Sequence, residues 1–168
     1  QRQLAIVGLP DDRAAHLEFL RRLGEVRDTK LGQIGNAIEN YRDILDVEPS
    51  HAQARAALEQ KLDHADHRVA VSAILEPIYE QNGEWQQLIG VQEIKLAAEA
   101  DPSTRAALLL RIGELYRTRL GNAEKAADAY GRCLAQEPGN ELAQQELEAL
   151  ADLLDDGWVN YTALLERS

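Results

Sequence analysis

The residues of this chain best suited to chemistry are Asp63, His64, Asp66 and His67, in the run Asp63-His64-Ala65-Asp66-His67. Two imidazoles three positions apart share one helix face, and with a carboxylate they offer donors that a zinc ion accepts. The same spacing arises freely in polar turns, so the run is read as a solvated turn between helices. His16 and His51 have no partner motif. Cys133 stands alone on an apolar stripe, which fits a core thiol better than a nucleophile, and one cysteine says nothing of redox compartment. The pairs Asp11-Asp12 and Asp155-Asp156 flank helix ends, where carboxylates cap. The sequence holds no Gly-rich phosphate loop, nucleophile elbow or paired-cysteine motif. It therefore predicts no enzyme, no catalytic or metal-binding residue and no cofactor.

Composition narrows the class. A chain of 168 residues suits one compact domain or one short solenoid. Hydrophobic residues make up 45% and aromatics only 5%, so the core must be built from alanine and leucine, as in close helix packing. The formal charge of −11 disfavours nucleic acid and anionic membrane surfaces, both of which require clustered Lys and Arg. No run approaches the ~20 apolar residues of a membrane span. With no signal peptide visible, a cytoplasmic location is expected, although a start at Gln1 without Met leaves room for an upstream segment.

The elements are clearest between Thr104 and Asn140. Leu108, Leu109, Ile112, Leu115, Tyr116 and Leu120 fall at helical spacing, and Gly121 stops that helix. Asn122 can cap a second helix whose face carries Ala123, Ala126, Ala127, Tyr130, Cys133 and Leu134, ended by Pro138-Gly139. The small side chains of Gly113 and Ala126 let the two helices cross closely. An earlier stretch, Arg13 to His51, repeats this without gaps at an offset of 89: Gly24 with Gly113, Gly32 with Gly121, Ala37 with Ala126, Tyr41 with Tyr130 and Pro49 with Pro138. A constant offset over so many positions indicates internal duplication and stacked repeats.

The rest is more degenerate. Gln1 to Leu9 looks like the tail of a helix that begins upstream. Ser50 to Leu62 reads as one helix. Val71 to Tyr79 reads as another, kinked or broken by Pro77. Asn82-Gly83 ends it, and a helix with Trp85, Leu88, Ile89 and Leu96 runs to Asp101-Pro102. Ala143, Leu147, Leu150 and Leu154 line a further helix, and Gly157 stops it before Trp158, Tyr161 and Leu165. Gly83-Glu84-Trp85 and Gly157-Trp158 are thus equivalent corners, where an aromatic fills the gap between hairpins. Ending at Ser168 in mid-helix, the chain is expected to be a fragment of a longer array.

The duplicated pattern resembles the tetratricopeptide repeat: an apolar-Gly pair, an aromatic, a small Ala, a second aromatic, a small residue and a closing Pro. In the second copy these positions are Ile112-Gly113, Tyr116, Ala126, Tyr130, Cys133 and Pro138; in the first they are Leu23-Gly24, Ala37, Tyr41, Ile44 and Pro49. Leu20 and Leu109 stand where the family often has Trp, Arg27 replaces the first aromatic, and Ile44 is large for its place. Each hairpin turn is one residue longer than the commonest form. The chain is therefore similar to a divergent, bacterial-type member of the family.

The resemblance implies an all-α, right-handed superhelical solenoid of antiparallel hairpins with eight or nine helices. It would be a single domain over residues 1–168, with best repeats at 13–51 and 104–140 and degenerate helices at 52–103 and 141–168. It also implies a concave groove for a peptide or partner helix, lined by Arg21, Arg22, Glu25 and Asp28 in the first copy and by Leu110, Arg111, Glu114 and Arg117 in the second. Leu110 and Glu114 do not suit the carboxylate-gripping subfamily that binds heat-shock chaperones. The expected function is protein–protein interaction, with self-assembly through uncapped repeat ends as the alternative. An RNA-binding repeat is disfavoured by charge.

Overall fold

The structure, a computed structural model, describes residues 10–151. Their three-to-four-residue apolar spacing is satisfied by helices, and no strand occurs among them. The helices are α1 (Pro10–Thr29), α2 (Ile34–Val47), α3 (Ala52–Glu59), α4 (Arg68–Asn82), α5 (Trp85–Ala98), α6 (Pro102–Thr118), α7 (Ala123–Gln136) and α8 (Glu141–Ala151). A 3-10 turn, Gln60–Asp63, follows α3. The expected tail through Leu9 and the Trp158 corner lie outside the described residues. The chain falls into two compact units, Gln1–Ile78 and Tyr79–Ser168, divided inside α4.

In the first unit α1 packs on α2 and α2 on α3, around Leu17, Ile38, Tyr41, Ile44, Leu45 and Leu58. In the second α5 packs on α6, α6 on α7 and α7 on α8, around Leu88, Leu109, Ile112, Tyr130, Leu134 and Leu147. The duplication survives folding in register. The starts of α2 and α7 (123 − 34), the starts of α3 and α8 (141 − 52) and the ends of α1 and α6 (118 − 29) are all 89 apart.

Local chemistry explains that register. Gly32 and Gly121 hold φ of 62° and 60°, the left-handed turn that closes each first helix. The freed carbonyls are met identically: Leu31 N–H donates to Val26 O at 3.2 Å and Leu120 N–H to Leu115 O at 3.2 Å. Thr29 and Thr118 hydroxyls donate to Glu25 and Glu114 carbonyls. At the opposite ends His51 Nδ1 accepts from Ala54 N–H at 3.2 Å, and Asn140 Oδ1 accepts from Ala143 N–H at 3.0 Å. His51 is thus a helix cap.

One expectation is corrected and another is narrowed. The helix predicted for 50–62 is α only over Ala52–Glu59 and tightens to 3-10 before His64. Pro77 does not break its helix, since α4 runs through it to Asn82. The carbonyl that loses its donor there gives up a single hydrogen bond, and Val71, Leu75, Ile78 and Tyr79 on the buried face hold the helix in place.

Candidate functional site: the open groove of α6, α7 and α8

On α6, positions 107, 110, 111, 114 and 117 fall on one stripe, exposed at 107, 114 and 117 and half-buried at 110 and 111, because helical residues three and four apart are neighbours. Leu142 and Glu146, one turn apart on α8, face that stripe, and Tyr130 of α7 lies between the two helices. Together Ala107, Leu110, Arg111, Glu114, Arg117, Tyr130, Leu142 and Glu146 bound an open groove of about 440 Å³. On its rim Leu142 is 53% exposed, while Leu110 is half-buried.

The polar groups hold one another in place. Arg117 Nε lies 3.0 Å from Glu146 Oε2. Arg111 pairs with Glu80 of α4 and lies 3.6 Å from Glu114. Burial pushes the Tyr130 hydroxyl above its usual value, the Glu146 charge adds to this, and a hydrogen bond with Arg117 opposes it. The phenol therefore stays protonated at neutral pH. No member of this set is a nucleophile beside a base. What it offers a ligand is an apolar strip edged by arginines and carboxylates, an arrangement suited to recognition.

The four second-copy residues expected in a groove, Leu110, Arg111, Glu114 and Arg117, thus line one groove. Those of the first copy are arranged differently. Arg21 and Arg22 both donate to Glu18, at 2.7 and 2.6 Å, and Arg21 also reaches Glu25 at 3.1 Å. Those hydrogen bonds, from Arg21 first and then Arg22, hold the Glu18 carboxyl down to about 2. Asp28 is drawn away, with its side chain only 16% exposed and its carboxylate 2.7 Å from Lys61 Nζ. It serves the junction between α1 and the 3-10 turn.

The signature residues occupy structural positions. Gly24 and Gly113 lie against the rings of Tyr41 and Tyr130, and Ala37 and Ala126 are fully buried beside them. Pro49 and Pro138 stand in the turns before α3 and α8. Tyr116 is half-buried under Lys125, whose Nζ is 5.4 Å from the ring centroid. Trp85 is half-buried too, with Arg119 stacked 4.8 Å over its ring. Cys133 is fully buried, donates weakly to Ala106 O at 3.5 Å, and is pushed up to about 11 by burial and then by Glu137.

His64 is exposed in a turn whose carbonyl accepts from the His67 and Arg68 N–H groups. Among the described residues no three His, Cys, Asp or Glu side chains converge. No described helix is long and apolar enough to cross a membrane.

Sequence reasoning missed three polar anchors. Arg105 donates to Gln136, to Leu96 O at 2.8 Å and to Glu99 O at 3.0 Å, tying the end of α5 to α6 and α7. Arg132 grips Glu93 with two bonds of 2.8 and 2.9 Å. Lys61 is nearly buried. The only signal for Lys61 is its position inside an apolar stripe between Leu58 and Leu62. The sequence matches no protein-family model and no curated protein.

Proposed function

We propose that this chain is an interaction module of stacked, tetratricopeptide-like helical hairpins that holds a peptide or partner helix in the groove of α6, α7 and α8. The observation that carries this reading is the exposed Leu142 facing Leu110 across an open groove, with Arg111, Arg117, Glu114 and Glu146 along its edges. An exposed leucine beside a half-buried one and fixed charges gives a ligand both burial and register. The groove lining has no acid–base or nucleophilic pair, which favours binding over turnover.

The test is a selection of peptides from a displayed random library against the full chain, repeated with Leu142→Glu and Leu110→Glu. The reading requires a family of related peptides recovered by the natural chain and lost by both variants. Recovery of the same peptides by all three proteins would place the binding surface elsewhere.

A further inference from the structure

The duplication supplies an internal control for the groove of α6, α7 and α8. At the offset of 89, Ala107, Leu110, Glu114 and Leu142 of the second copy are Glu18, Arg21, Glu25 and Gln53 in the first. Of these only the glutamate is common to both copies, and its surroundings are opposite. Glu25 accepts from Arg21, one turn before it on α1, at 3.1 Å. In the second copy that arginine is Leu110. Among the described residues the nearest cation to Glu114 is Arg111, at 3.6 Å, beyond hydrogen-bond distance and already paired with Glu80. The second groove thus holds a carboxylate 55% exposed beside two leucines, where the first copy has a closed ion pair.

We infer, resting on the docking role just proposed for this groove, that it takes an arginine side chain of a protein partner, which does for Glu114 what Arg21 does for Glu25. The aliphatic stem lies along Leu110 and Leu142, and the guanidinium meets the Glu114 carboxylate. Arginine suits both surfaces. Its methylenes cover apolar side chains while the head stays charged, and its planar guanidinium is weakly hydrated and forks onto a carboxylate. The charges agree with this. Glu80, Glu114 and Glu146 stand against Arg111 and Arg117, so the patch is one cation short. The chain as a whole carries −11, which draws a basic segment towards it.

The helices set the level at which this side chain enters. Arg117 meets Glu146 at 3.0 Å, which closes one end of the groove. Because α7 returns between them, α6 and α8 run in the same direction, and one turn earlier on each stand Glu114 and Leu142. The carboxylate and the exposed leucine are therefore neighbours across the groove. Continuation of the repeat does not fill this position. In the first copy residues 60–78 follow α3 within the same unit, yet the Glu25 side chain stays 60% exposed.

The experiment selects peptides from a displayed random library against the full natural chain and against Leu142→Glu, Glu114→Arg and Leu110→Arg. The natural chain should recover peptides that share an arginine beside an aliphatic residue. Glu114→Arg should recover peptides with Asp or Glu in place of that arginine. Leu110→Arg, which rebuilds the ion pair of the first copy, should recover none of them while still melting as a folded chain. For one recovered peptide, Glu114→Gln and replacement of the peptide arginine by Met should each raise Kd at least about tenfold, and together little more than either alone. Peptides that need Leu142 but share no arginine, or that Glu114→Arg recovers unchanged, overturn this inference and leave the groove reading standing. Peptides indifferent to Leu142→Glu overturn both, as does recovery of none. Self-association of the natural chain that Leu110→Arg abolishes would overturn the separate partner in favour of a second copy.

Discussion

Gly113 on α6 lies against the ring of Tyr130 on α7, so close that a Cβ built on the glycine would stand 2.5 Å from Tyr130 Cε1. The first unit repeats the contact, with Gly24 and Tyr41 Cε1 at 2.8 Å. Each hairpin therefore closes by laying a flat ring onto a bare stretch of helix backbone. The ring is buried and cannot swing away, so the glycine is required by packing although it weakens its helix.

This contact sets two alanine substitutions against each other. Gly90 on α5 has open space where a Cβ would go, so Gly90→Ala should stabilise by about 0.5–1 kcal/mol through helix propensity. Gly113→Ala gains the same propensity but must displace Tyr130, and should destabilise by about 1–3 kcal/mol. Denaturation midpoints of the two variants, measured beside the natural chain, should move in opposite directions. Midpoints rising together would remove the ring contact as the reason for glycine.

The Arg27 departure from the repeat pattern has a physical partner. Arg27 Nη1 donates to Oδ1 of the buried Asn40 at 2.7 Å. The second copy has Tyr116 and Ala129 at these two positions, so a polar pair has replaced an aromatic and a small residue. Asn40→Ala should cost about 1–2 kcal/mol, because it removes the acceptor of a charged donor. Adding Arg27→Tyr should recover part of that loss by restoring the chemistry of the other copy. A double variant no more stable than Asn40→Ala alone would deny the exchange.

These cases show which features the sequence made legible. The glycine turns and the close helix crossing at Gly113 were readable because each depends on residues close in sequence or repeated at the offset of 89, whereas the tyrosine ring that meets each glycine lies on the next helix and was not foreseen. The groove positions Arg111, Glu114 and Arg117 were readable as one stripe for the same reason. Asp28 was not, because its fate depends on Lys61, more than a full hairpin away, and no local pattern announces a pair between different helices. Arg105 escaped notice because its acceptors are backbone carbonyls, which have no sequence identity. Trp85 was expected to fill the gap between hairpins; half-buried under Arg119, it shows that an aromatic in a corner can equally serve as a platform for a cation.

The Glu18 ladder predicts a pH dependence whose sign is fixed. Its carboxyl is lowered from 4.5 to about 2 by hydrogen bonds from Arg21 and then Arg22. A carboxyl depressed in the fold adds stability above its unfolded value, and that contribution is lost as pH falls through the folded value. The stability difference between the natural chain and Glu18→Gln should therefore hold down to about pH 4.5 and close towards about pH 2. Thermal melts across that range test it. Because the group is solvent-exposed, added salt should shrink the difference as well. A difference independent of pH would assign the effect of Glu18→Gln to something other than its charge.

The junction charges make a sharper prediction. Asp28 pairs with Lys61 in the first unit, whereas Arg117, its counterpart in the second, pairs with Glu146. The sign at one repeat position has reversed, and the next hairpin supplies the opposite charge in each case. Both members of the Asp28–Lys61 pair are largely buried, at 16% and 10% side-chain exposure, so neither charge is well solvated if left alone. Lys61→Met should therefore cost about 2 kcal/mol or more, most of it from the stranded Asp28 carboxylate. Asp28→Asn added to Lys61→Met removes that carboxylate and should regain a substantial part of the loss. The coupling from the full double-mutant cycle should be about 1–3 kcal/mol, the range for groups in direct contact. Reversing the pair, with Asp28→Lys and Lys61→Asp together, should be tolerated better than either change alone. If the two single changes simply add, the pair is a surface contact of no consequence and the reversed signs of the two junctions specify nothing.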